Sequence, residues 1–257
     1  MEKYKIFVET PLFNTDIDQE EPFVETYLLK GENNPCIIVC PGGAYCNLAE
    51  HEKYAETFNK MGLSVFVLNY RCYPYRYPCP VLDARRAVKF VKYNAKKFGI
   101  NPDKVLIAGS SAGGHLALST SCYIDSGNND GDEIDKLSSD VVGTILCYPV
   151  VSLVEYTNGG TRNVFADGDT AIEYKFSIQH QVHPNMPPIF AWHTLNDNSV
   201  DVRNVLMLAE SCHKENVPME LHIFPDGHHG LGTADYMPHV HQWVTLCENW
   251  LKDNKFI

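Results

Sequence analysis

Short apolar runs alternate with longer amphipathic stretches along most of this chain. Residues 37–40 (IIVC), 64–70 (SVFVLNY), 104–109 (KVLIAG), 141–150 (VVGTILCYPV), 189–193 (IFAWH) and 220–224 (ELHIF) are rich in β-branched and aromatic side chains and are bounded by Gly, Pro or Asn. Each predicts a strand. Between them, Ala84, Val88, Val91, Ala95 and Phe98 recur at steps of four and three, which places one apolar stripe along a helix, and Gly99 supplies a stop. The same spacing recurs at Val202, Val205, Ala209 and Cys212, and at Val240, Val244, Cys247 and Leu251. Strands alternating with amphipathic helices predict an α/β architecture: a mostly parallel, doubly wound sheet with helices on both faces.

Two regions break the alternation. Residues 125–139 (DSGNNDGDEIDKLSS) are polar and Gly-rich and read as a surface excursion. Residues 152–188 carry weak periodicity, several aromatics and the prolines Pro184, Pro187 and Pro188. Lying between two predicted strands, they suggest a small cap inserted over the C-terminal edge of the sheet, where open α/β sheets bind ligands. With no internal repeat or linker, 1–257 is expected to form one domain.

Composition narrows the partners. The formal net charge is −11 and the pI near 5.4, whereas a nucleic-acid surface needs clustered Lys and Arg. A neutral or cationic small molecule is the expected partner, and no nucleic acid. No segment approaches the ~18 apolar residues of a membrane span, and the alternating N-terminus lacks the apolar core of a signal peptide. The nine cysteines sit mostly inside apolar runs, as with Cys36, Cys40, Cys147 and Cys247, and read as buried thiols of a reducing cytoplasm. Cys36, Cys40 and Cys46 contain no CxxC pair, so no metal is expected.

The chemistry enters at Gly109, Ser110, Ser111, Ala112, Gly113. This GxSxG follows the apolar run VLIA and precedes HLALSTSCY, the strand-turn-helix context that a nucleophile elbow requires. Glycines two before and two after Ser111 remove side chains that would collide with the strand and helix. Ser110 is the rival nucleophile but does not lie midway between the glycines. An oxyanion hole needs a second backbone amide from a loop after an earlier strand. Pro41, Gly42, Gly43, Ala44 and Tyr45 follow IIVC and supply it, with Gly43 and Ala44 as expected donors and Ala112 completing the hole. Gly42 and Tyr45 are expected to border the substrate, Tyr45 either as a wall of the site or as packing under the cap.

The loop after IFAWH offers Asp197 and Asp201, and the loop after ELHIF offers Asp226, His228 and His229. Asp201 opens an amphipathic stretch and fits a helix cap, so Asp197, nearer the strand end, is the expected acid. His229, flanked by Gly230, is the expected base, with His228 as its alternative. His51 and Glu52 are weaker candidates for the entrance, against the ordinary reading of a helix start, and Trp192 reads as core.

Together DARRAVKFVKYNAKKFGINPDKVLIAGSSAGGHLA (residues 83–117), the PGGAY loop, HTLNDNSV (193–200) and FPDGHHGLG (224–232) resemble bacterial carbohydrate acetyl esterases and feruloyl-esterase-like members of the α/β-hydrolase superfamily, related to the hormone-sensitive lipase group. The likeness spans about residues 35–251. It implies Ser111 as nucleophile, Asp197 as acid, His229 as base, and short acyl esters of sugars as substrates; because these side chains and the backbone amides supply the chemistry, no cofactor is expected. Pro41 and Ala44 replace the outer residues of the lipase HGGG, Thr194 stands where many hydrolases have Gly, and Asp201 where Pro is common. An amidase, formamidase or peptidase would use the same triad, whereas a non-catalytic receptor on this fold would have broken it. Charged and polar residues of 152–188, among them Glu155, Asn158, Arg162, Asp167 and Lys175, suit a sugar-like leaving group; the alternative is that Tyr156, Phe165, Tyr174 and Phe176 point inward as an acyl pocket.

Overall fold

The computed structural model describes residues 1–129 and 131–257. In chain order the elements are β1 (Lys3–Lys5), β2 (Phe23–Tyr27), β3 (Asn34–Cys40), α1 (Glu52–Lys60), β4 (Ser64–Asn69), α2 (Cys79–Tyr93), α3 (Ala95–Phe98), β5 (Ile100–Ser110), α4 (Ala112–Cys122) and β6 (Thr144–Cys147). There follow α5 (Gly159–Ala166), α6 (Thr170–Lys175), a single 3-10 turn (Ile178–His180), β7 (Ile189–Thr194), α7 (Arg203–Glu215), β8 (Met219–Phe224), α8 (Pro238–His241) and α9 (Trp243–Asp253). The strands form one eight-stranded sheet in the order β1-β2-β4-β3-β5-β6-β7-β8. β1 and β2 pair antiparallel with their neighbours, and β4 onward run parallel.

Every apolar run predicted as a strand contributes one. In the central strands the side chains alternate between two cores, as a sheet covered on both faces demands. Ile38 and Cys40 of β3 join a core with Ala84 and Val88 of α2, Leu116 of α4 and Leu208 of α7. Ile37 and Val39 face the other way, into a core with Phe58 of α1 and Trp243, Cys247 and Leu251 of α9. The stripe from Ala84 to Phe98 is buried throughout, although the helix is interrupted at Asn94; it ends where Gly99 takes φ 65°.

The structure departs from the pattern in three places. The strand expected over 141–150 is the four-residue β6, because Tyr148 turns the chain at φ 39° and Pro149 has no N–H for the ladder. β1 and β2 lie in the N-terminal stretch, outside the apolar runs that predict the other strands; β2 pairs antiparallel with β4, matching Phe23 to Asn69 and Tyr27 to Val65. The excursion at 125–139, apart from Asp130, which lies outside the described residues, folds back onto α2. There the Arg86 guanidinium holds Asp132 and Asp135, and Lys89 holds Asp125 at 2.7 Å.

The cysteines are free thiols, all buried except Cys46. Among the described residues no helix is long and apolar enough to cross a membrane, and no group of three His, Cys, Asp or Glu side chains gathers to hold a metal ion.

Candidate active site

The C-terminal ends of β3, β5, β6, β7 and β8 bring the residues singled out by the sequence to one edge of the sheet. Ser111 occupies the turn from β5 into α4 at φ 54° and ψ −123°, a conformation few non-glycine residues adopt. The surroundings over-determine it. The Ser111 amide donates to the Cys147 carbonyl (3.0 Å), and its own carbonyl accepts from Val150 (3.0 Å) and His115 (3.2 Å). Close approach explains the flanking glycines: a Cβ on Gly109 would lie 2.1 Å from the Gly113 carbonyl oxygen, and one on Gly113 2.1 Å from that of Cys40.

Ser111 Oγ lies 2.8 Å from His229 Nε2, and His229 Nδ1 lies 2.7 Å from Asp197 Oδ2. With Nδ1–H donating to the carboxylate, Nε2 is left as acceptor for the serine hydroxyl. Burial opposes charge on Asp197, but the neighbouring His193 and His229 imidazoles and hydrogen bonds from the Val200 and Ser199 amides outweigh it and hold the carboxyl far below its usual range. The acid is thus fixed as an anion beneath the imidazole.

The loop after β3 is folded by its carbonyls. Gly43 O accepts from Cys46 and Asn47, Gly42 O from Ala49, and Pro41 O from the Tyr70 hydroxyl at 2.6 Å. The Gly43 and Ala44 amides donate to no other backbone group among the described residues, and Ala112 begins α4, where the amide lacks an intrahelical acceptor. Gly42 abuts Ser111: a Cβ there would lie 3.2 Å from the serine's own. A cleft of about 550 Å³ is lined by Gly42, Gly43, Ala44, Ser111 and His229, with Asn158 and Thr161 reaching it from the inserted segment.

The rival candidates do not join this hydrogen-bonded series. The Ser110 side chain is buried beside Tyr148. Asp201 accepts from the Arg203 amide (2.9 Å) at the start of α7, and Asp226 accepts from Asn196 (3.1 Å). His228 turns outward, bonded to the His229 carbonyl and the Tyr236 hydroxyl. His51 precedes α1 and pairs with Glu25 at 3.2 Å, Glu52 opens that helix, both line a groove next to the cleft, and Trp192 is fully buried. One expectation needs correction. Tyr45 is 1% exposed and does not border the cleft; its ring packs against Tyr70 and Phe165 and its hydroxyl bonds His115, because φ 61° sends the side chain under the inserted segment.

Two residues next to the site went unread in the sequence. Tyr148 sets its ring 5.1 Å from the His229 ring at 72°, and its hydroxyl accepts from Gly232 (3.1 Å) and bonds Tyr54 (2.8 Å). His193, fully buried, donates from Nε2 to the Val200 carbonyl (2.9 Å) with Asp197 Oδ2 3.4 Å away. Each is at or just past the C-terminal end of a central strand, the one signal that could have found them.

A serine hydroxyl, an imidazole and a carboxylate in hydrogen-bonded series, beside free amides on a strand-turn-helix elbow, form the acyl-transfer arrangement, and with this sheet order they define an α/β-hydrolase fold. The chain belongs to the BD-FAE family, whose model matches residues 26–211 and so includes Ser111 and Asp197. It is 35% identical over 208 residues to endo-1,4-beta-xylanase B of Butyrivibrio fibrisolvens, covering 78% of this chain and 33% of that protein. To the acetylxylan esterase of Xylanibacter ruminicola it is 29% identical over 238 residues, covering 88% of this chain and 47% of that one. The chain therefore spans less than half the length of both curated relatives. A solved structure, the acetyl ester-xyloside bifunctional hydrolase from Caldicellulosiruptor lactoaceticus, superposes with a TM-score of 0.96 at 39% identity, covering 100% of this chain and 97% of that one.

Proposed function

We propose that this chain is a serine carboxylic-ester hydrolase that removes short acyl groups, acetyl first, from sugars or oligosaccharides such as xylo-oligosaccharides. The observation that carries this reading is the unbroken series Ser111 Oγ, His229 Nε2, His229 Nδ1 and Asp197 Oδ2, at 2.8 and 2.7 Å. Its relatives' names, acetylxylan esterase and acetyl ester-xyloside hydrolase, support the substrate class.

In this mechanism Ser111 Oγ attacks the ester carbonyl while His229 Nε2 takes its proton, and Asp197 stabilises the imidazolium. The carbonyl oxygen becomes an anion received by the Gly43, Ala44 and Ala112 amides. Collapse expels the alcohol, which leaves with the proton from His229. Water, deprotonated by the same nitrogen, then releases the acid from the acyl-serine. No metal or organic cofactor enters any step. Nine free thiols favour a reducing compartment, the cytoplasm. Residues 1–257 act as one hydrolase unit, with 152–188 as its cap.

Ser111→Ala tests the reading. It should lower turnover of acetylated xylo-oligosaccharides and aryl acetates by about 10⁴-fold or more with an unchanged circular dichroism spectrum, and a fluorophosphonate should label Ser111 in the parent alone. Parental turnover in the folded variant would overturn it. An aryl formamide in the same panel measures the ester over the amide.

A further inference from the structure

The cleft at Ser111 adjoins a second groove of about 610 Å³, and the two share Ala49, Glu50, Tyr54, Gly230 and Gly232 in their walls. That volume is in the range of sites that enclose a drug-sized ligand, ~300–1,000 Å³. The direction in which it leaves Ser111 decides which half of an ester it can take. His229 Nε2 must reach the alcohol oxygen to protonate it, while the carbonyl oxygen faces the amides of Gly43, Ala44 and Ala112. One wall of the groove is residues 230–236, the loop that runs on from His229; the other is residues 48–54, which run on from the loop of Gly43 and Ala44. An alcohol whose oxygen meets His229 Nε2 has the first wall beside it, which assigns the groove to the alcohol.

Its chemistry is that of a surface for polyols. Glu50, Glu52, Lys53 and Asp235 offer acceptors and donors along the walls, the last two paired at 2.9 Å. Tyr236, at 65%, is the most exposed tyrosine of the chain. The Tyr236 hydroxyl meets His228 Nε2 at 2.5 Å, with ring centroids 6.1 Å apart and planes within 19°. So short a bond between rings whose centres are so far apart requires them to lie side by side in nearly one plane, not face on face. The pair is thus a flat platform two rings wide at the edge of the groove. The C–H face of a pyranose carries partial positive charge and suits the negative face of such rings.

Resting on the esterase reading above, the geometry points to this groove as the subsite for further sugar units of an oligosaccharide alcohol, with Tyr236 as the stacking residue and the acetylated unit at Ser111. The enzyme then prefers acetylated oligosaccharides to acetylated monosaccharides, and the preference resides in the loop following its own base.

The test compares kcat/KM for acetylated xylotriose with kcat/KM for an aryl acetate that has no further sugar units. Tyr236→Ala should lower the ratio of the two about tenfold, the size of a lost aromatic contact, and Tyr236→Phe, which keeps the ring, should hold it near the parental value. Calorimetry gives an independent reading: unacetylated xylotriose should bind Ser111→Ala and lose affinity when Tyr236→Ala is added. A ratio unmoved by Tyr236→Ala, equal losses on both substrates, or no xylotriose binding would each overturn the subsite while leaving the esterase reading intact. A parental enzyme that cleaves aryl acetates and no acetylated sugar would instead overturn the sugar reading, and the subsite with it.

Discussion

His115 Nδ1 accepts a 2.8 Å hydrogen bond from the hydroxyl of Tyr45, while its Nε2 donates at 2.8 Å to the carbonyl of Phe176. One fully buried imidazole on α4 thereby ties the helix that starts after Ser111 to the loop carrying Gly43 and Ala44, and both to the segment inserted between β6 and β7. Tyr45, expected at the substrate, instead braces the loop from behind.

A pH dependence of stability follows. Burial pushes the His115 imidazole down to about 4, so the folded chain refuses a proton that the unfolded chain accepts near pH ~6.5. As pH falls from ~6.5 to about 4 the unfolded state binds more protons, and stability declines by up to ~1.4 kcal/mol per pH unit from this group. Below that window its contribution changes no further. Urea titrations across pH 4–7 should show this slope, and His115→Asn, less stable throughout, should show a shallower one; parallel curves would refute the assignment.

The two aspartates of the β7 loop should separate cleanly. Asp197→Asn removes the anion under His229 and mispositions the imidazole, so kcat should fall about 10⁴-fold. Asp201→Asn touches only the start of α7, where its carboxylate accepts from the Arg203 amide, and should cost ~1 kcal/mol of stability or less with kcat near parental. Steady-state kinetics beside thermal melting decides it, and the reverse ranking would move the acid to Asp201.

What could be read in the chain was whatever depends on local pattern. β3 to β7 announced themselves because their runs are apolar on both faces, β8 because its run is bounded by turn residues, and Ser111 because the crowding at Gly109 and Gly113 leaves a written trace. Tyr45 went wrong because its direction depends on a left-handed backbone set by loop carbonyls that no spacing reveals. β1 and β2 were missed because KYK and FVETY become strands only through the partner that pairs with them. Tyr148 acts through Tyr54, Gly232 and His229, all distant in sequence, and His193 through a loop whose fold brings Asp197 and Val200 back onto it, so their positions are legible and their contacts are not.

The glycines at the elbow should differ in what they break. Ala at Gly109 puts its Cβ 2.1 Å from the Gly113 oxygen, backbone against backbone, so Gly109→Ala should fold poorly or not at all. At Gly42 the added carbon meets the Ser110 oxygen at 3.0 Å and the Ser111 Cβ at 3.2 Å, contacts that a shift of a few tenths of an ångström relieves. Gly42→Ala should therefore fold and lose about ten- to a hundredfold in kcat/KM by displacing the nucleophile. A melting curve and one rate for each variant check the contrast; an active Gly109→Ala protein would contradict it.

The acyl-chain profile should peak at acetyl or propionyl and fall by octanoyl. A long acyl chain contributes ~0.8 kcal/mol per buried CH₂, provided an apolar tunnel receives it. Four aromatics of the inserted segment were the candidates to form one, and none borders the cleft at Ser111. Phe165 and Phe176 are spent in the core around His115, packing on each other at 5.1 Å. Tyr156 lies outside under the Arg203 guanidinium, and Tyr174 stacks on His180. What the segment gives the cleft is Asn158 and Thr161, bonded to each other at 3.0 Å, with the Asn158 amide donating to the Ser199 carbonyl of the β7 loop at 2.9 Å, polar groups that gain nothing from methylenes. Against an aryl ester series from acetyl to octanoyl, kcat/KM should drop once the acyl group outgrows this polar recess. A profile rising toward long chains would mean that the segment opens to expose Phe165 and Phe176 and serves as a lipid-binding lid.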